Sequence, residues 1–488
     1  MIFIVFGYLI LTAIIGIFSA KKKRKSNASF HGAGLGILMC VAAGAGEWMG
    51  GTSTTGVSES GYLYGISGAW YTIANGIGIM VCALLFAKLY RSLKTHTVSG
   101  IVGSFFGPKS RFVASILLIF IMAVVGISQM IAVGSLGSIL FGVDVSISII
   151  IFGIIIICYT VFGGMTAIGS TNILHLVVLY VGMAVAVIVL LLNPQTKNNF
   201  SNLPSSYFSL FSIGGPKIGS WVLASVLGAC TAQAGIQPIL AAKDDKTAVS
   251  SSIIIALIVA PFGILTALLG MIAKANMPDI VNAKLALPLL VETLPPAVSG
   301  FVIAAMMAAI LSTASPIFLA CGTLFSKDVL PVISRKNSES QTLDKKELLS
   351  GKIVTAVAGI VCTGLAILFF NMSEVLNIVY FAYSLRGSLF VIILFGIYSK
   401  KHKFTELSCI LSMVLTALTG LFWVVFKVFT GSYPIASWFS DTYAAILVAI
   451  ICMFFALLAE KIFIKPTKER PFIQPEEIVN GVDNKEQS

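Results

Sequence analysis

Residues 42–56 combine small, acidic and hydroxyl-bearing side chains inside an otherwise apolar part of the chain. They read AAGAGEWMGGTSTTG, so that Glu47 stands among five glycines and ahead of a run of hydroxyl groups. In one interpretation, the glycines allow a close contact between two helices. In the other, the helix is interrupted here, and its freed carbonyls and hydroxyls bind an ion or a solute. Close packing does not need a carboxylate and four hydroxyls, which favours the second interpretation.

A second pair of hydroxyls lies in the apolar run 304–330. Ser312 and Thr313 are adjacent there, and Ala309 stands three residues earlier, so its carbonyl lies on the helix face where the hydroxyls begin. A Ser or Thr in a membrane helix usually bonds only to a carbonyl of its own preceding turn, and that interpretation stays open. Because an ion needs several oxygen ligands, we expect this run to be the partner of residues 42–56.

Two charged residues fall within apolar runs, Glu47 in the glycine-rich stretch and Arg386 in VYFAYSLRGSLFVIILF. A charge at the centre of a bilayer costs roughly 2.5–3.5 kcal/mol on insertion scales, so each needs a partner. Three interpretations stay open. The two residues form a structural ion pair, or Arg386 holds a substrate carboxylate through a bidentate contact. In the third, Arg386 lies near the end of its helix and extends its charge towards water.

The composition is that of an all-α polytopic membrane protein. Hydrophobic residues make up 57% of the 488, charged residues make up 11%, and the mean hydropathy is +0.98. Apolar runs of about 20 residues, long enough to cross a bilayer as helices, recur along the chain. We predict thirteen transmembrane helices, at residues 2–20, 33–60, 65–90, 111–141, 145–163, 171–192, 218–241, 247–274, 298–326, 352–371, 374–398, 405–427 and 443–464.

Positive residues indicate the orientation of these spans. KKKRK follows the first span, which is a stop-transfer pattern and favours a retained helix over a signal peptide. With the N-terminus outside, most of the 32 lysines and arginines fall in the interior connections and in the tail 466–488. Positive residues mark the cytoplasmic side. The sequence therefore predicts a multi-pass protein of the cell (plasma) membrane with a cytoplasmic C-terminus, and the net charge of +12 needs no nucleic acid partner.

Sequence patterns typical of enzymes are absent. The chain has no HExxH, GxSxG or CxxC sequence and no phosphate loop, and its four histidines are scattered. The eight cysteines fall in or at the ends of apolar runs, which predicts small core residues rather than metal ligands or disulfides. We therefore expect no enzymatic activity. A membrane sensor built on a transporter scaffold stays open as an alternative, with only the interior loop 327–352 available to signal.

Several stretches, taken in order along the chain, resemble landmarks of the sodium:solute symporter family. They are GAGEWMGGTSTTGVSESGYLYG with the following GISGAWY, then GGMTAIGSTNILH, AAKD and AAILSTASPIFLACGTLFSKDVL. The resemblance covers roughly residues 1–465 and implies a single transporter domain with a LeuT-type core. That core consists of two inverted five-helix repeats, at approximately 33–192 and 218–398, with additional helices at 2–20, 405–427 and 443–464.

The resemblance also implies a coupling Na⁺ between the interrupted first core helix and the eighth core helix. The matching positions supply five oxygens without a formal charge, which suits a monovalent cation that must also leave. The implied ligands are the carbonyls of Gly46, Met49 and Ala309 and the hydroxyls of Ser312 and Thr313.

Two positions depart from the pattern of the family. Asn172 stands in GGMTAIGSTNILH where the family usually has an aspartate associated with sodium release or an additional sodium. Pro316 stands one turn past Ser312 where some relatives carry another hydroxyl. Both differences argue against a second sodium, so we predict one Na⁺ per transport cycle.

Amide, hydroxyl and aromatic side chains near the expected ion site suit a small polar organic solute. We predict sodium-coupled symport by alternating access, and Arg386 favours a carboxylate or an amino acid over a sugar. A proton-coupled carrier with Glu47 as the proton site stays open, as does the oligomeric state, a monomer included. The candidate substrate residues are Glu47, Trp48, Thr52, Ser53, Tyr71, Asn75, Gln129, Gln233, Gln237 and Arg386.

Overall fold

The secondary structure is helical, apart from one isolated parallel bridge between Leu35 and Ala242. Helices are expected because a bilayer offers no water to the backbone, so each lipid-facing segment must satisfy its own N–H and C=O groups. The predicted all-α membrane architecture is confirmed, whereas the predicted tail 466–488 lies outside the described residues. The computed structural model describes residues 2–23, 34–93, 95, 97–333, 340–371, 374–398 and 405–463.

The helices are numbered here in chain order. In the first part of the chain they are α1 Ile2–Lys23, α2 Ile37–Trp48, α3 Val57–Tyr64, α4 Trp70–Leu85, α5 Ala87–Ser92, α6 Val98–Phe106, α7 Pro108–Phe141, α8 Val145–Leu192 and α9 Pro194–Ser201. In the second part they are α10 Gly215–Ala229, α11 Gln233–Ala241, α12 Asp245–Asn276, α13 Ala286–Glu292, α14 Pro296–Leu324, α15 Leu330–Ile333, α16 Ser340–Phe369, α17 Val375–Tyr398, α18 Glu406–Thr430 and α19 Asp441–Phe463.

Length and apolar composition identify nine helices among the described residues that can cross a membrane. The number is ten when α10 and α11 are counted together as one bent span. Three shorter apolar helices coincide with parts of further predicted spans, namely Phe3–Thr12, Ile37–Trp48 and Val145–Val161. The exact number of thirteen spans therefore stays a prediction.

The predicted span 33–60 is an interrupted helix. Its first half, α2, is followed by a π-helical turn at Thr52–Gly56 that continues into α3. The chain then reverses at Gly65, whose φ of +74° is a conformation that L side chains rarely adopt. A side chain at Gly68 would lie 2.8 Å from the backbone nitrogen of Gly61, so the reversal brings the two segments into contact before α4 begins.

The predicted spans 145–163 and 171–192 are joined without a loop, because α8 is helical throughout its 48 residues. The Tyr159 hydroxyl nevertheless lies 2.9 Å from the Thr171 hydroxyl. In a straight helix, residues twelve apart are separated by about 18 Å along the axis. The helical run must therefore fold back between these two residues. Val145–Val161 and Thr171–Leu192 coincide with the two predicted spans.

The predicted span 218–241 is also interrupted, which the sequence analysis missed. It consists of α10 and α11, bent by 40° at the break. The carbonyl of Cys230 accepts a 2.9 Å hydrogen bond from the Tyr90 hydroxyl, and Thr231 donates a 2.8 Å bond to the carbonyl of Arg386. The first span of each predicted repeat is therefore broken near its middle, and neighbouring helices bond to groups at the break.

Helix α14 lies at the centre of the bundle, and its apolar window is entirely buried. It packs against α7, α8, α16, α1 and α2. Small residues make this possible; for example, a side chain at Gly182 of α8 would lie 2.6 Å from Ala305 Cβ. Because every residue from Val302 to Leu324 is buried, the polar groups in the middle of α14 must find partners inside the protein.

Candidate functional site

The break after α2 opens the backbone and is held in place by α7. Met49 leaves the helical region, with φ −111° and ψ 52°. A helix end leaves backbone groups without intrahelical partners. Gln129 of α7 satisfies one of them, because its Oε1 accepts a 2.8 Å hydrogen bond from Gly51 N–H. Its Nε2 also donates a 2.8 Å bond to the Thr52 hydroxyl, so both ends of this amide bind the interrupted segment.

Four of the five predicted sodium ligands meet beside this break. Ser312 Oγ donates hydrogen bonds to the carbonyl of Gly46 at 3.2 Å and to the carbonyl of Ala309 at 2.8 Å. Thr313 Oγ1 donates to the same Gly46 carbonyl at 2.5 Å. The two hydroxyls of α14 therefore lie against the last turns of α2.

The fifth predicted ligand, Met49, belongs to a peptide at the same place. A side chain at Gly50 would lie 2.5 Å from Thr313 Cβ and 2.8 Å from Gln129 Oε1. The backbone at Gly50 therefore approaches both helices closely, which only a glycine permits.

The oxygens of this cluster are neutral and can receive a cation. A hydroxyl carries two lone pairs beside its proton, so Ser312 and Thr313 can turn from donating a hydrogen bond to coordinating an ion. Carbonyl and hydroxyl oxygens are the hard donors that Na⁺ binds at unwound membrane helices. We name this group, Gly46, Met49, Ala309, Ser312 and Thr313, the oxygen cluster.

Asn172 of α8 lies at the edge of the oxygen cluster. A side chain at Gly46 would lie 3.0 Å from Asn172 Cγ and 3.3 Å from Ser312 Cβ. Asn172 is buried, and neither its amide oxygen nor its amide nitrogen has a hydrogen-bond partner among the described residues. The hydroxyl of Ser315, beside Pro316, is also buried without a partner in the described part of the chain.

A cluster of aromatic rings lies on the other side of Glu47. Tyr383 of α17 is its centre, with the Trp48 ring at 6.1 Å edge-on and the Tyr71 ring stacked at 6.4 Å, both between centroids. Tyr380 contacts Tyr71 edge-on at 5.8 Å and stacks on Trp221 at 4.7 Å. Of these five aromatic residues, only Trp48 and Tyr71 were predicted from the sequence as substrate residues.

A sequence pattern could have identified the two tyrosines of α17, because they repeat with Arg386 on one face of the helix. Tyr380, Tyr383 and Arg386 are spaced by three, so they lie on one side of α17. The guanidinium carbon of Arg386 lies 4.9 Å from the centroid of the Tyr383 ring. Asn75 of α4 is also buried in this region, and neither atom of its amide has a hydrogen-bond partner among the described residues.

Glu47 and Arg386 are both buried, Arg386 being 1% exposed near the middle of α17. The interpretation in which Arg386 extends its charge to water is therefore wrong. Trp48, which follows Glu47, contacts the Tyr383 ring over which the Arg386 guanidinium lies. However, no salt bridge joins Glu47 and Arg386 among those within 4.0 Å that the described residues form. Glu47 Oε2 and Arg386 Nε have no hydrogen-bond partner in the described chain.

Other predicted substrate residues form hydrogen bonds within the protein. Thr52 lies 3.0 Å from the Ser128 hydroxyl in addition to its bond with Gln129, and Ser53 donates to the Gly50 carbonyl at 2.8 Å. Gln233 accepts a 2.7 Å bond from Val98 N–H at the start of α6.

Gln237, the last predicted substrate residue, is buried on α11. The neighbouring Gly235 places α11 against Trp48, since a side chain there would lie 3.0 Å from Trp48 Nε1. Hydrogen bonds within the protein thus occupy Gln129, Gln233 and Ser53. In the described chain, polar atoms without a hydrogen bond remain on Glu47, Asn75 and Arg386.

Charged residues surround the end of the bundle that the charge pattern predicts to face outside. Glu59 of α3 accepts a 3.0 Å hydrogen bond from Val375 N–H at the start of α17, and the Tyr64 hydroxyl donates to Glu374 at 3.1 Å. Lys284, in the connection before α13, donates to the carbonyl of Phe370. Burial lowers the pKa of Lys284, and the nearby Glu59 partly offsets this effect.

The opposite end holds a different set of contacts. Leu35, just before α2, forms two backbone hydrogen bonds with the end of α11, donating to Ala241 at 2.8 Å and accepting from Lys243 at 3.0 Å. Asp328 accepts hydrogen bonds from Ser99 at 2.5 Å and from Arg111 Nε at 2.7 Å. The two interrupted helices are thus joined to each other at this end of the bundle.

Many secondary active transporters have two interrupted helices with neutral oxygens at the interruption, as the described residues of this chain do. A model of the sodium:solute symporter family matches residues 30–416, and the chain belongs to that family. The resemblance seen in the sequence is thereby confirmed. The protein is a sodium-coupled membrane transporter and not an enzyme.

Two relatives are similar over most of their length. The "Uncharacterized symporter YwcA" of Bacillus subtilis (strain 168) is 28% identical over 407 residues, which are 78% of this chain and 79% of the relative. The human "High affinity choline transporter 1" is 26% identical over 398 residues, 75% of this chain and 67% of the relative.

Solved structures show the same fold. A Na⁺-coupled sialic acid symporter in a substrate-bound outward-open state superposes with a TM-score of 0.75 at 18% identity, over 96% of this chain and 98% of the other. Mhp1, a transporter of the nucleobase-cation-symport-1 family, superposes in a closed conformation with a TM-score of 0.56 at 15% identity, over 90% and 96%. At these identities the likeness shows the LeuT-type fold alone.

Proposed function

We propose that the protein couples the inward movement of one Na⁺ to the uptake of a small polar organic solute. The observation that supports this most directly is the convergence of two hydroxyls from α14 on one carbonyl of the interrupted α2. Na⁺ binds to the oxygen cluster, with Met49 as the fifth ligand. Its ligands come from two helices, α2 and α14. The ion can therefore bind only when these helices are adjacent, and once bound it stabilises that arrangement.

Coupling follows from this shared site. External Na⁺ stabilises the state in which α2 and α14 are together and the solute pocket is formed, so the ion and the solute favour the same conformation. After the bundle rocks, Na⁺ leaves towards its lower interior concentration, and the solute is released once the ion no longer stabilises its site. The membrane potential adds about 2.3 kcal/mol per charge per 100 mV.

The stoichiometry of one sodium rests on the neutrality of the surroundings. Asn172, at the edge of the oxygen cluster, offers an amide where a carboxylate would attract a second cation. Reversal potentials in proteoliposomes measure the ratio directly. We expect one Na⁺ per solute, and a ratio of two would refute this part of the proposal.

The solute pocket lies between Glu47, Asn75, Arg386 and the aromatic rings. An amine or a carboxylate on the solute would find a partner there, whereas a sugar would leave both charges unpaired, so a carboxylate or an amino acid is favoured.

Transport assays test the coupling ion. Purified protein is reconstituted into proteoliposomes at fixed pH, and the uptake of labelled amino acids and carboxylates is measured with external Na⁺ or K⁺. We expect uptake above background only with Na⁺. Uptake that is equal in K⁺ would reject sodium coupling.

A proton-coupled carrier is the second candidate, because Glu47 is a buried acid with an oxygen that has no partner in the described chain. In that case a pH gradient would drive uptake without Na⁺. The Glu47→Gln variant would then lose the response to the pH gradient while sodium remained without effect.

A further inference from the structure

Glu47 and Arg386, which can carry opposite charges, are both buried and do not satisfy one another. Glu47 Oε2 and Arg386 Nε have no hydrogen-bond partner among the described residues, and their side chains are not joined by a salt bridge within 4.0 Å. The Arg386 guanidinium donates a hydrogen bond of 3.9 Å to Met122 Sδ, which is a weak acceptor. The rings of Trp48 and Tyr383 connect the two residues, which do not form a closed ion pair.

Without a ligand, two buried charges that do not pair raise the free energy of the folded protein. Removing a charge from water carries a penalty of several kcal/mol per ion, which only close pairing and hydrogen bonds offset. A ligand that inserts between the two side chains would provide that pairing on both sides. The ligand must then carry a positive group for Glu47 and a negative group for Arg386.

The walls between the two charges fit the same ligand. The Arg386 guanidinium lies over the Tyr383 ring, and the Trp48 ring meets Tyr383 edge-on, where Trp48 follows Glu47 in the chain. Aromatic faces attract ammonium groups. The Asn75 amide lies beside the hydroxyls of Tyr71 and Tyr383 and adds a donor and an acceptor at the same place.

We propose that the transported solute is a small zwitterion, an amino acid or a betaine with a neutral side chain. Its ammonium group binds to Glu47 between Trp48 and Tyr383, and its carboxylate binds to the guanidinium of Arg386. A monocarboxylate would leave Glu47 unpaired, and a simple amine would leave Arg386 unpaired. This assignment rests on the proposed function, since it concerns the solute pocket of a sodium symporter.

Matched ligands test the two contacts separately. Purified protein in lipid nanodiscs is heated in Na⁺ or in K⁺ with each neutral-side-chain amino acid and with glycine betaine. For each one, the carboxamide and the deaminated acid serve as matched probes. We expect at least one zwitterion to raise the unfolding temperature in Na⁺, while its amide and its deaminated acid do so only at concentrations at least 10-fold higher. Equal stabilisation by the deaminated acid, or no stabilisation by any zwitterion, would overturn the proposal.

Variants assign each charge to its end of the ligand. Glu47→Gln should weaken binding of the zwitterion at least 10-fold and leave the deaminated acid unchanged or tighter. Arg386→Lys should weaken the zwitterion at least 10-fold and leave the carboxamide unchanged. Glu292→Gln makes the same exchange at an exposed position at the end of α13 and should change nothing. Unchanged zwitterion affinity in Glu47→Gln contradicts the proposal.

The response to Na⁺ alone separates this proposal from the proposed function. Stabilisation by Na⁺ without any solute reports on the oxygen cluster, and it should persist in Glu47→Gln, which also shows that the variant is folded. If Na⁺ stabilises the protein but zwitterions have no preference, only the zwitterion assignment fails. If Na⁺ has no effect, the sodium site itself fails.

Discussion

Thr313 is the single side chain whose loss should affect sodium binding most. Its hydroxyl donates a 2.5 Å bond to the Gly46 carbonyl and so connects α14 with the end of α2. Thr313→Ala removes one oxygen ligand and leaves that carbonyl without its closest partner, a change worth roughly 1–3 kcal/mol. The Na⁺ concentration for half-maximal thermal stabilisation should therefore rise about 10-fold or more.

Thr323→Ala is the matched control for this experiment. Thr323 lies on the same buried helix, and its hydroxyl bonds only to the Leu319 carbonyl of its own preceding turn, at 3.0 Å. Its loss should leave the sodium response unchanged. An equal shift in the two variants would mean that the response reports general helix stability and not a bound ion.

The interrupted helix receives two of its hydrogen bonds from one amide of α7, that of Gln129. Gln129→Leu keeps most of the side-chain volume but leaves Gly51 N–H buried without its acceptor, which costs roughly 1–3 kcal/mol. We expect a lower unfolding temperature, measured in detergent without Na⁺. Gln195→Leu makes the same exchange at an exposed position and should have little effect. A variant as stable as the parent would show that water replaces the amide.

At the other end of α14, Asp328 joins this helix to α6 and α7. It is 2% exposed and forms a salt bridge with Arg111, whose side chain is 43% exposed. Asp328→Asn should cost roughly 3 kcal/mol of unfolding free energy, the low end for breaking a buried pair, because Arg111 reaches water. Thermal or denaturant unfolding of the purified protein measures the change.

An exposed pair of the same residue types provides the comparison. Asp245→Asn disrupts the pair with Arg91, which is 3.2 Å long and has both side chains partly exposed. Such pairs contribute roughly 0–1 kcal/mol. Comparable losses in the two variants would mean that the burial of Asp328 contributes nothing.

On the scale of the whole molecule, the charge pattern predicts the orientation in the membrane. Ser206 is exposed between α9 and α10, on the predicted outer side, and Ser104 is exposed on α6, on the predicted inner side. In intact cells a membrane-impermeant maleimide should label Ser206→Cys, and it should label Ser104→Cys only after permeabilisation. The parent chain shows the background of the native cysteines. The reverse pattern would invert the topology.

Local composition was sufficient to predict those site residues that stand out within a single segment of the chain. The hydroxyls at 312–313 and the glycine-rich stretch before Thr52 stand out because polar groups are rare in apolar runs. Tyr380 and Tyr383 did not stand out, because aromatic residues are common in membrane helices. Their role depends on Tyr71 and Trp48, which lie about 300 residues away in sequence.

The sequence alone determined the membrane class, most span limits and the segments that carry the oxygen cluster, since hydrophobic length and misplaced polar residues are properties of single segments. Only the tertiary structure decided how α8 folds back, where α10 ends, and that Gln129 binds the backbone while Glu47 and Arg386 stay unsatisfied. A hydrogen bond between distant helices depends on how they pack against each other, and no local pattern contains that information.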